Sequence, residues 1–174
     1  AGPYSGRATA LATYTAVMIE VEVAGIRLEM PSNQPVLILR DEASMRYLPL
    51  WIGTAEATAI SLALEGVTPP RPLTHDLLAD VIEHLDAQLS SVSISDLADG
   101  VFYAILSFAD HDPISARPSD AVALAVRCGV PVLVNPEVMD AAGVDISETG
   151  DEAQDSDELE KFREFLDSIN PEDF

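Results

Sequence analysis

Alternating apolar and charged residues mark the first part of the chain as strands. Residues 18–29 follow a period of two, which is typical of a strand with one buried face, and Gly25 within it predicts a bulge or bend. Residues 36–40 and 46–52 are further apolar runs separated by a polar turn, as in a hairpin. Because Pro49 lacks a backbone N–H, the later strand should lie at a sheet edge or a bulge there.

A second group of strands is predicted in the middle of the chain. Residues 91–97 alternate again, and the Asp-Gly pair at 99–100 is a strong signal for a two-residue hairpin turn. Residues 101–108 then form the returning strand. Short segments at 114–116 and 130–134 complete the group, and the second of them is apolar enough to be buried.

Four helices are predicted between and after these strands. Residues 55–65 are almost all Ala, Ile and Leu, so this helix should be buried on most sides, and Gly66 should end it. A helix at 119–127 follows Pro118, which suits a first helical position, and a short helix at 136–142 also opens on a proline.

The remaining helix, which starts at Thr74, is predicted to turn an apolar stripe toward the body and polar residues toward solvent. The stripe consists of Leu77, Leu78, Val81, Ile82 and Leu85, and the polar side of Asp80, Glu83, His84 and Asp86. Thr74 is expected to cap this helix with its side-chain oxygen, as Thr54 is expected to cap the first helix.

This succession of elements predicts an α+β fold, in which helices pack on a mixed β-sheet in a single compact domain. We assign that domain to residues 18–145, and residues 1–17 to a disordered extension or a remnant of cloning. Residues 146–174 are predicted to form an acidic linker and an amphipathic helix. That helix needs an apolar surface to dock on, either on this chain or on a partner. Its apolar positions are Leu159, Phe162, Phe165, Leu166 and Ile169.

The charge balance restricts the partners that suit this chain. Nine Lys and Arg stand against thirty Asp and Glu, which gives a net charge of −21. Because nucleic-acid binders usually carry a basic patch, DNA or RNA should bind weakly and through a few arginines, helix N-termini or metal ions. The acidic C-terminal segment suits a basic protein partner, and exposed strands suit a homodimer.

Location is predicted from what the sequence lacks. No run of 18 or more apolar residues occurs, so no membrane span is expected, and no secretory signal pattern opens the chain. Cys128 is the single cysteine, which excludes an intrachain disulfide. A cytoplasmic protein is the simplest interpretation.

Two Arg-Pro segments in front of apolar helices carry the residues best suited to chemistry. Free backbone N–H groups and the helix dipole favour an anion at a helix start, and an arginine adds a fork that matches phosphate oxygens. The predicted phosphate-binding residues are Arg71, Thr74, Arg117 and Ser119. The structural alternative is that the hydroxyl residues only cap helices and that the arginines pair with Asp76 and Asp120.

Acid–base chemistry points first to His75, because an imidazole titrates near neutral pH. Glu56, Asp76 and Asp120 each open a helix, and if they converge they can hold a divalent cation, Mg²⁺ or Mn²⁺, for phosphodiester hydrolysis. The predicted catalytic residues are therefore His75, Asp76, Asp120 and Glu56, with that cation as the candidate cofactor.

Several enzyme classes are excluded by motif. The chain contains no H-E-x-x-H, no paired C-x-x-C, no Walker loop, no G-x-G-x-x-G and no G-x-S-x-G. Zincins, zinc ribbons, P-loop NTPases and α/β-hydrolases therefore lack their signature here.

Five segments, which stand in order, closely resemble the bifunctional nuclease domain family of bacteria and plants over about residues 18–145. The segment Glu-Lys-Phe-Arg-Glu-Phe-Leu-Asp at 160–167 is similar to actinobacterial members. The five segments are Leu-Pro-Leu-Trp-Ile-Gly at 48–53, Glu-Ala at 56–57, Pro-Arg-Pro-Leu-Thr-His-Asp-Leu-Leu at 70–78, Asp-Gly-Val-Phe-Tyr-Ala at 99–104 and Ala-Arg-Pro-Ser-Asp-Ala-Val-Ala-Leu-Ala at 116–125.

The resemblance implies an α+β domain with nuclease activity on DNA and RNA, as described for plant members, and it implies no established catalytic set. The positions that match the family's motifs are the two Arg-Pro segments. Family members often have an acid just before Ala-Arg-Pro, where this chain has Ser115. If that acid binds a metal in the family, this chain lacks the ligand.

The sequence is compatible with three functions. The first is a metal-assisted nuclease in which arginines hold phosphates, carboxylates hold the cation and His75 transfers a proton. The second is a non-enzymatic interaction or regulatory module that engages a basic partner through its acidic tail. The third is a binder of a small phosphorylated ligand, which nucleotides would stabilise without turnover.

Overall fold

The computed structural model describes residues 17–145, so the N-terminal extension and the predicted C-terminal helix lie outside the described residues. One eight-stranded sheet carries four helices, and its strand order is β6-β5-β4-β7-β1-β2-β3-β8. The strands are β1 (Ile19–Glu29), β2 (Gln34–Asp41), β3 (Arg46–Trp51), β4 (Leu89–Ala98), β5 (Val101–Phe108), β6 (Ile114–Ala116), β7 (Val132–Val134) and β8 (Val144–Asp145). The helices are α1 (Thr54–Leu64), α2 (Thr74–His84), α3 (Pro118–Cys128) and α4 (Pro136–Ala142).

The predicted α+β fold with a mixed sheet is confirmed. Strands β4 and β7 pair in parallel, and every other pair of neighbours is antiparallel. No helix among residues 17–145 is long and apolar enough to cross a bilayer.

Strand β1 joins the two halves of the sheet, and it contains a bulge. The pairing register shifts between Val23 and Gly25, as predicted, and Gly25 adopts a φ of 130° that side chains rarely tolerate. The strand pairs with β7 before the bulge, and its pairing with β2 continues past it. Pro49 lies where β3 is an edge, because β8 pairs only with Arg46 and Tyr47.

The hairpin between β4 and β5 also forms as predicted. Asp99 and Gly100 both have positive φ, 53° and 76°, which is the conformation that a type I′ turn requires. The turn delivers β5 back along β4, and β6 adds to its far side. Helix α3 begins two residues after Ala116, the last residue of β6, so this edge of the sheet sets where that helix starts.

The core lies between the sheet and helices α1 and α3. All five residues from Ala121 to Ala125 are buried, so α3 is the most deeply packed helix. Helix α1 contributes Ala57, Ala59 and Ile60 to the core but leaves Leu64 exposed. The prediction that α1 is buried on most sides was therefore wrong, since only the side that faces α3 and the sheet is covered.

The orientation of α2 is the main departure from the sequence prediction. The expected inner stripe faces outward for four of its five members, and Ile82 alone packs partly on the core. The four exposed residues are Leu77, Leu78, Val81 and Leu85. The inner face instead includes His75, which is buried, and Ala79.

Two polar contacts explain why α2 is turned this way. His75 and Asp76, at the start of the helix, both bond to side chains of α3. Burying them toward α3 places the leucines, which lie about half a turn away, on the outer side. Hydrophobic periodicity identified an amphipathic helix correctly, but the charged contacts decided which face is covered.

Arg127 connects all three helices on this side of the sheet. Its Nε donates to Asp76 Oδ1 at 2.6 Å in α2, and its Nη2 donates to the Ala59 carbonyl at 3.0 Å in α1. Its Nη1 also bonds the Ala123 carbonyl at 3.0 Å one turn back in α3. The side chain is only 9% exposed, so water cannot easily replace these partners.

We expect Arg127→Met to destabilise the fold by about 2–4 kcal/mol, because it leaves Asp76 without its partner in a largely covered position. Arg46→Met is the matched control, since Arg46 pairs with Asp140, which is 69% exposed, and exposed pairs contribute about 0–1 kcal/mol. Urea unfolding of both variants measures the difference. An equal cost for the two substitutions would contradict the role given to Arg127.

Candidate functional site

The first turns of α1, α2 and α3 meet in one polar cluster. Glu56 is the third residue of α1, His75 the second of α2 and Asp120 the third of α3, while Arg117 is the residue just before α3. Because a helix N-terminus carries a partial positive charge, three of them together favour anions at this junction. We call these four residues the helix-start cluster.

Arg117 links the two carboxylates of the helix-start cluster. Its Nη2 donates to Glu56 Oε1 at 2.9 Å, and its Nε donates to Asp120 Oδ2 at 2.6 Å. A further bond from Nη2 to Asp120 Oδ1, at 3.1 Å, makes the contact with Asp120 bidentate. The Arg117 side chain is nevertheless 65% exposed, so one side of its guanidinium faces solvent.

His75 is held by Asp120 through one ring nitrogen. Nε2 lies 2.8 Å from Asp120 Oδ1, and the imidazole is mostly covered, with 11% of the side chain exposed. An ionised carboxylate only accepts hydrogen bonds, so in neutral His75 the proton must sit on Nε2 and the lone pair on Nδ1. Asp120 therefore fixes which nitrogen is basic.

The other nitrogen of His75 is open. Among the described residues Nδ1 has no hydrogen-bond partner, and Arg40 Nε is the only side-chain nitrogen or oxygen there that is both sealed from solvent and unpartnered. It follows that Nδ1 is not fully sealed from solvent. The imidazole also shares Asp120 Oδ1 with Arg117, and a basic nitrogen near such a guanidinium is suited to proton transfer.

The electrostatics of the cluster keep both acids ionised. Burial by itself would raise the pKa of Asp120, but hydrogen bonds from Arg117 and His75 outweigh it, and the pKa is lowered. The pKa of Glu56 is lowered first by a hydrogen bond from its own backbone N–H and then by Arg117. In turn, Asp120 and Glu56 raise the pKa of Arg117, which stays charged.

Gly53 makes room for the Glu56 carboxylate. Glu56 folds back over the start of α1, and a Cβ built on Gly53 would collide with Glu56 Oε2. The backbone at Gly53 is ordinary, with a φ of −75°, so a larger residue there would displace the Glu56 carboxylate rather than strain the backbone. The side-chain position of Glu56, and with it one of the anchors of Arg117, depends on this missing methyl group.

The remaining predicted site residues lie elsewhere. Asp76 faces Arg127 rather than the cluster, and it also accepts a hydrogen bond from the Leu73 backbone N–H at 2.9 Å. Arg71 is exposed and makes no ion pair or side-chain hydrogen bond among residues 17–145. The alternative in which the arginines pair with nearby acids therefore holds for Arg117 and Asp120 but not for Arg71.

The predicted caps did not form. Helix α2 begins at Thr74 itself, and no side-chain oxygen caps it, because Leu73 occupies the position before it. Thr54 is likewise the first residue of α1, and Gly53 occupies its cap position. Ser119 lies within α3 and is buried without capping it. The first-turn acids Glu56, Asp76 and Asp120 instead lie at the positive ends of the three helix dipoles, and Asp76 also accepts a hydrogen bond from the Leu73 backbone N–H.

A resident divalent cation does not fit this arrangement. Among the described residues, no group of three or more His, Cys, Asp or Glu side chains is placed to hold one. Both carboxylates of the cluster are engaged by Arg117, so a cation would have to displace a guanidinium. Ser115 lies on the exposed strand β6 and offers no carboxylate.

Sequence reasoning missed Arg127 and Gly53. Arg127 appeared only as the polar end of an apolar helix, and its partners are 51 and 68 positions away, so no local pattern could assign them. Gly53 had a usable signal, since it stands three residues before a first-turn glutamate at a helix start. That spacing is where a carboxylate folding back meets the cap residue.

Comparison with known proteins agrees with the segments that carry these residues. Residues 37–147 match the profile of the bifunctional nuclease domain, and the helix-start cluster lies within that span. The chain belongs to the bifunctional nuclease domain family. The resemblance noted from the sequence is thereby confirmed.

Relatives fall into two groups. An uncharacterized protein of Mycobacterium tuberculosis is 54% identical over 161 residues, which cover 90% of this chain and 98% of that protein. Bifunctional nuclease 1 of Oryza sativa subsp. japonica is 26% identical over 122 residues, and bifunctional nuclease 2 of Arabidopsis thaliana is 24% identical over 126 residues. These matches cover 67% and 69% of this chain but only 37% and 38% of the plant proteins.

The space at Gly53 can be tested by a double-mutant cycle. We expect Gly53→Ala to destabilise the intact protein by about 1–2 kcal/mol, because the new methyl group displaces Glu56. In a Glu56→Ala background the same substitution should cost little, since no carboxylate is left to displace. Urea unfolding of the four proteins measures the coupling, and an equal cost in both backgrounds would contradict the account.

Lowering the pH should reduce the contribution of the carboxylates at the helix starts to the stability of the fold. The pKa values of Glu56, Asp76 and Asp120 are lowered in the folded state, so their contribution to stability is complete above the ordinary carboxylate pKa of about 4. It is lost as the pH falls through the lower folded values, because the unfolded chain then binds more protons.

We therefore expect the free energy of unfolding to decline below pH 4 less steeply in Asp120→Asn than in the intact protein. Urea titrations at a series of pH values between 3 and 7 give the two slopes. Parallel slopes would show that Asp120 keeps its ordinary pKa in the folded protein.

Proposed function

We propose that this chain hydrolyses phosphodiester bonds of DNA or RNA at the helix-start cluster. The observation that carries the proposal is the position of His75, which is held at Nε2 by the same Asp120 carboxylate that the exposed Arg117 contacts, while Nδ1 has no hydrogen-bond partner among residues 17–145. Membership of the bifunctional nuclease domain family supports a nuclease-like function. The roles of individual residues are part of the proposal.

His75 acts as the proton acceptor in this scheme. Its Nδ1 takes a proton from the attacking water, whose oxygen forms the new bond to phosphorus while the bond to the leaving oxygen breaks. The leaving oxygen then takes a proton from the imidazolium or from solvent. Asp120 stabilises the imidazolium and keeps the ring in place, as a carboxylate does in other His-Asp pairs.

Arg117 is the proposed phosphate ligand. Its exposed N–H groups can meet two phosphate oxygens while Glu56 and Asp120 hold the other side of the guanidinium. The helix N-termini around it add partial positive charge where negative charge develops on the phosphate. Arg71, which is exposed and lacks an ion pair among residues 17–145, is proposed to contact a neighbouring phosphate of the same strand.

The charge of the chain predicts the kind of substrate. A net charge of −21 repels a polyanion, so binding should be weak and should weaken further with added salt. Single-stranded or flexible nucleic acid suits the site best, because a backbone that can bend presents one phosphate to a small cluster. We also propose that any divalent cation used in the reaction arrives bound to the nucleic acid, since the helix-start cluster itself does not hold one.

A non-enzymatic module is the second candidate, and one observation favours it. Glu56 and Asp120 are neutralised by Arg117, and Asp76 by Arg127, which gives Arg117 a sufficient structural role. On this proposal the acidic C-terminal segment captures a basic protein. A cytoplasmic location and a homodimer also remain proposals.

Cleavage of a labelled single-stranded oligonucleotide, as DNA and as RNA, tests the main proposal. We expect His75→Gln to lower the rate by about 10²–10⁴-fold, because it removes the basic nitrogen. His84→Gln is the matched control, since His84 lies on the same helix, is exposed and does not touch the cluster. The assay is run with Mg²⁺, with Mn²⁺ and with EDTA.

The outcomes separate the candidates. Loss of cleavage in His75→Gln but not in His84→Gln supports the cluster, and the EDTA arm decides the metal requirement. Equal cleavage by both variants would mean that the cluster is not the site or that another nuclease contaminates the preparation. No cleavage by the intact, folded protein would favour the non-enzymatic module.

A further inference from the structure

The outer side of α2 presents an apolar ridge with nothing on it among the described residues. Leu73, Leu77, Val81 and Leu85 follow one another at a spacing of four, which lines side chains up along a helix. Their exposed fractions run from 40% to 71%, and Leu78 beside them is 39% exposed. Solvated surfaces rarely keep so many large apolar side chains together unless something covers them.

The surroundings of this ridge are acidic. Asp80 and Glu83 lie along its flank on α2, and Asp86 follows just after the helix. Together with His84 these three residues line a shallow surface depression. Within residues 17–145 none of the three acids takes part in an ion pair. Whatever covers the ridge should therefore carry apolar residues beside positive charge.

Within the acidic C-terminal segment of the same chain, residues 159–169 combine apolar residues with two positive charges, Lys161 and Arg163. Its apolar residues recur at helical spacing from Leu159 to Ile169. At about 100° per residue, Lys161 and Arg163 fall on either side of the apolar stripe, and most of the acids fall opposite it. Lys161 is the only lysine of the chain, and it stands beside the stripe that needs a partner surface.

The segment is long enough to reach α2. The described chain ends at Asp145 in β8, and the 13 residues from 146 to 158 precede the first residue of the stripe. When extended, such a linker spans up to about 45 Å. A domain of this size has a radius of gyration of about 14 Å and is roughly 36 Å across, so the extended linker exceeds the width of the domain.

A second copy of the chain fits the ridge less well. One helix of 11 residues offers a footprint on the order of 200 Å², whereas a stable dimer buries about 800 Å² on each partner. A second copy would also bring its own Asp80, Glu83 and Asp86 against the first set. A tethered segment needs less area, because its effective concentration is already millimolar.

We propose that residues 159–169 form a helix that packs along the outer ridge of α2, with Lys161 or Arg163 facing the acids on its flank. The segment thereby covers the side of α2 opposite to the helix-start cluster and holds α2 from outside, as Arg127 holds it from inside. This proposal is independent of any nuclease activity.

Site-directed cross-linking of the full chain tests the proposal. In a Cys128→Ser background, Val81→Cys is combined with Leu166→Cys and treated with a short bismaleimide. We expect most of the protein to form an intramolecular cross-link, seen as a monomer of altered mobility on a denaturing gel. Val101→Cys combined with Leu166→Cys is the matched control, because Val101 is 52% exposed, against 43% for Val81, but lies on the β4–β5 hairpin.

The other outcomes contradict the proposal. Cross-linked dimers in Val81→Cys alone would place a second copy on the ridge, and dimers only in the double variant would mean that the segment docks on a neighbouring chain. Equal cross-linking of test and control pairs would mean that the segment has no fixed site.

A second measurement avoids cysteine variants. Phe162→Asp combined with Leu166→Asp should increase amide hydrogen exchange of α2 at least tenfold over the intact full chain while leaving β4 unchanged. Unchanged exchange of α2 would overturn the proposal.

Discussion

The arrangement of the helices depends on the hydrogen bonds made by Arg127. It is almost fully covered, and it bonds Asp76 of α2, the Ala59 carbonyl of α1 and the Ala123 carbonyl of its own helix. A buried guanidinium needs all of its partners, because each one lost leaves a charge or a carbonyl unsatisfied in a place that water reaches poorly. Satisfying Arg127 therefore fixes the start of α2 against α3 and turns the leucines of α2 outward.

The same orientation creates both surfaces to which function is assigned. On the inner side, His75 meets Asp120, and Arg117 ties Asp120 to Glu56, so three helix N-termini converge on one exposed arginine. On the outer side, an apolar ridge is exposed beside three acids that make no ion pair within residues 17–145. The net negative charge of the chain would repel nucleic acid, which is unexpected in a nuclease family. At the helix-start cluster, however, Arg117 neutralises the acids, and a phosphate would meet its guanidinium.

Much of the fold could be predicted from the sequence, since its signals are local. The bulge at Gly25, the Asp99-Gly100 turn and the start of α3 at Pro118 each depend on one or two residues with restricted or unusual backbone preferences. The face of α2 could not be predicted, because it is set by partners 45 and 51 positions away. Of the residues predicted for the site, three acids open helices as expected, but only the contacts show that Asp76 belongs with Arg127 and not with Glu56 and Asp120.

The central claim is that Asp120 holds the proton of His75 on Nε2 and leaves Nδ1 to face the phosphate. Nitrogen-15 NMR of the imidazoles tests it most directly, with His75→Gln used to assign the signal and a phosphorothioate single-stranded oligonucleotide as the ligand. The account predicts a neutral His75 protonated at Nε2, and a shift of its Nδ1 signal on adding the oligonucleotide while the signals of exposed His84 stay in place. A proton on Nδ1, or an oligonucleotide that moves both histidines equally or neither, would contradict it.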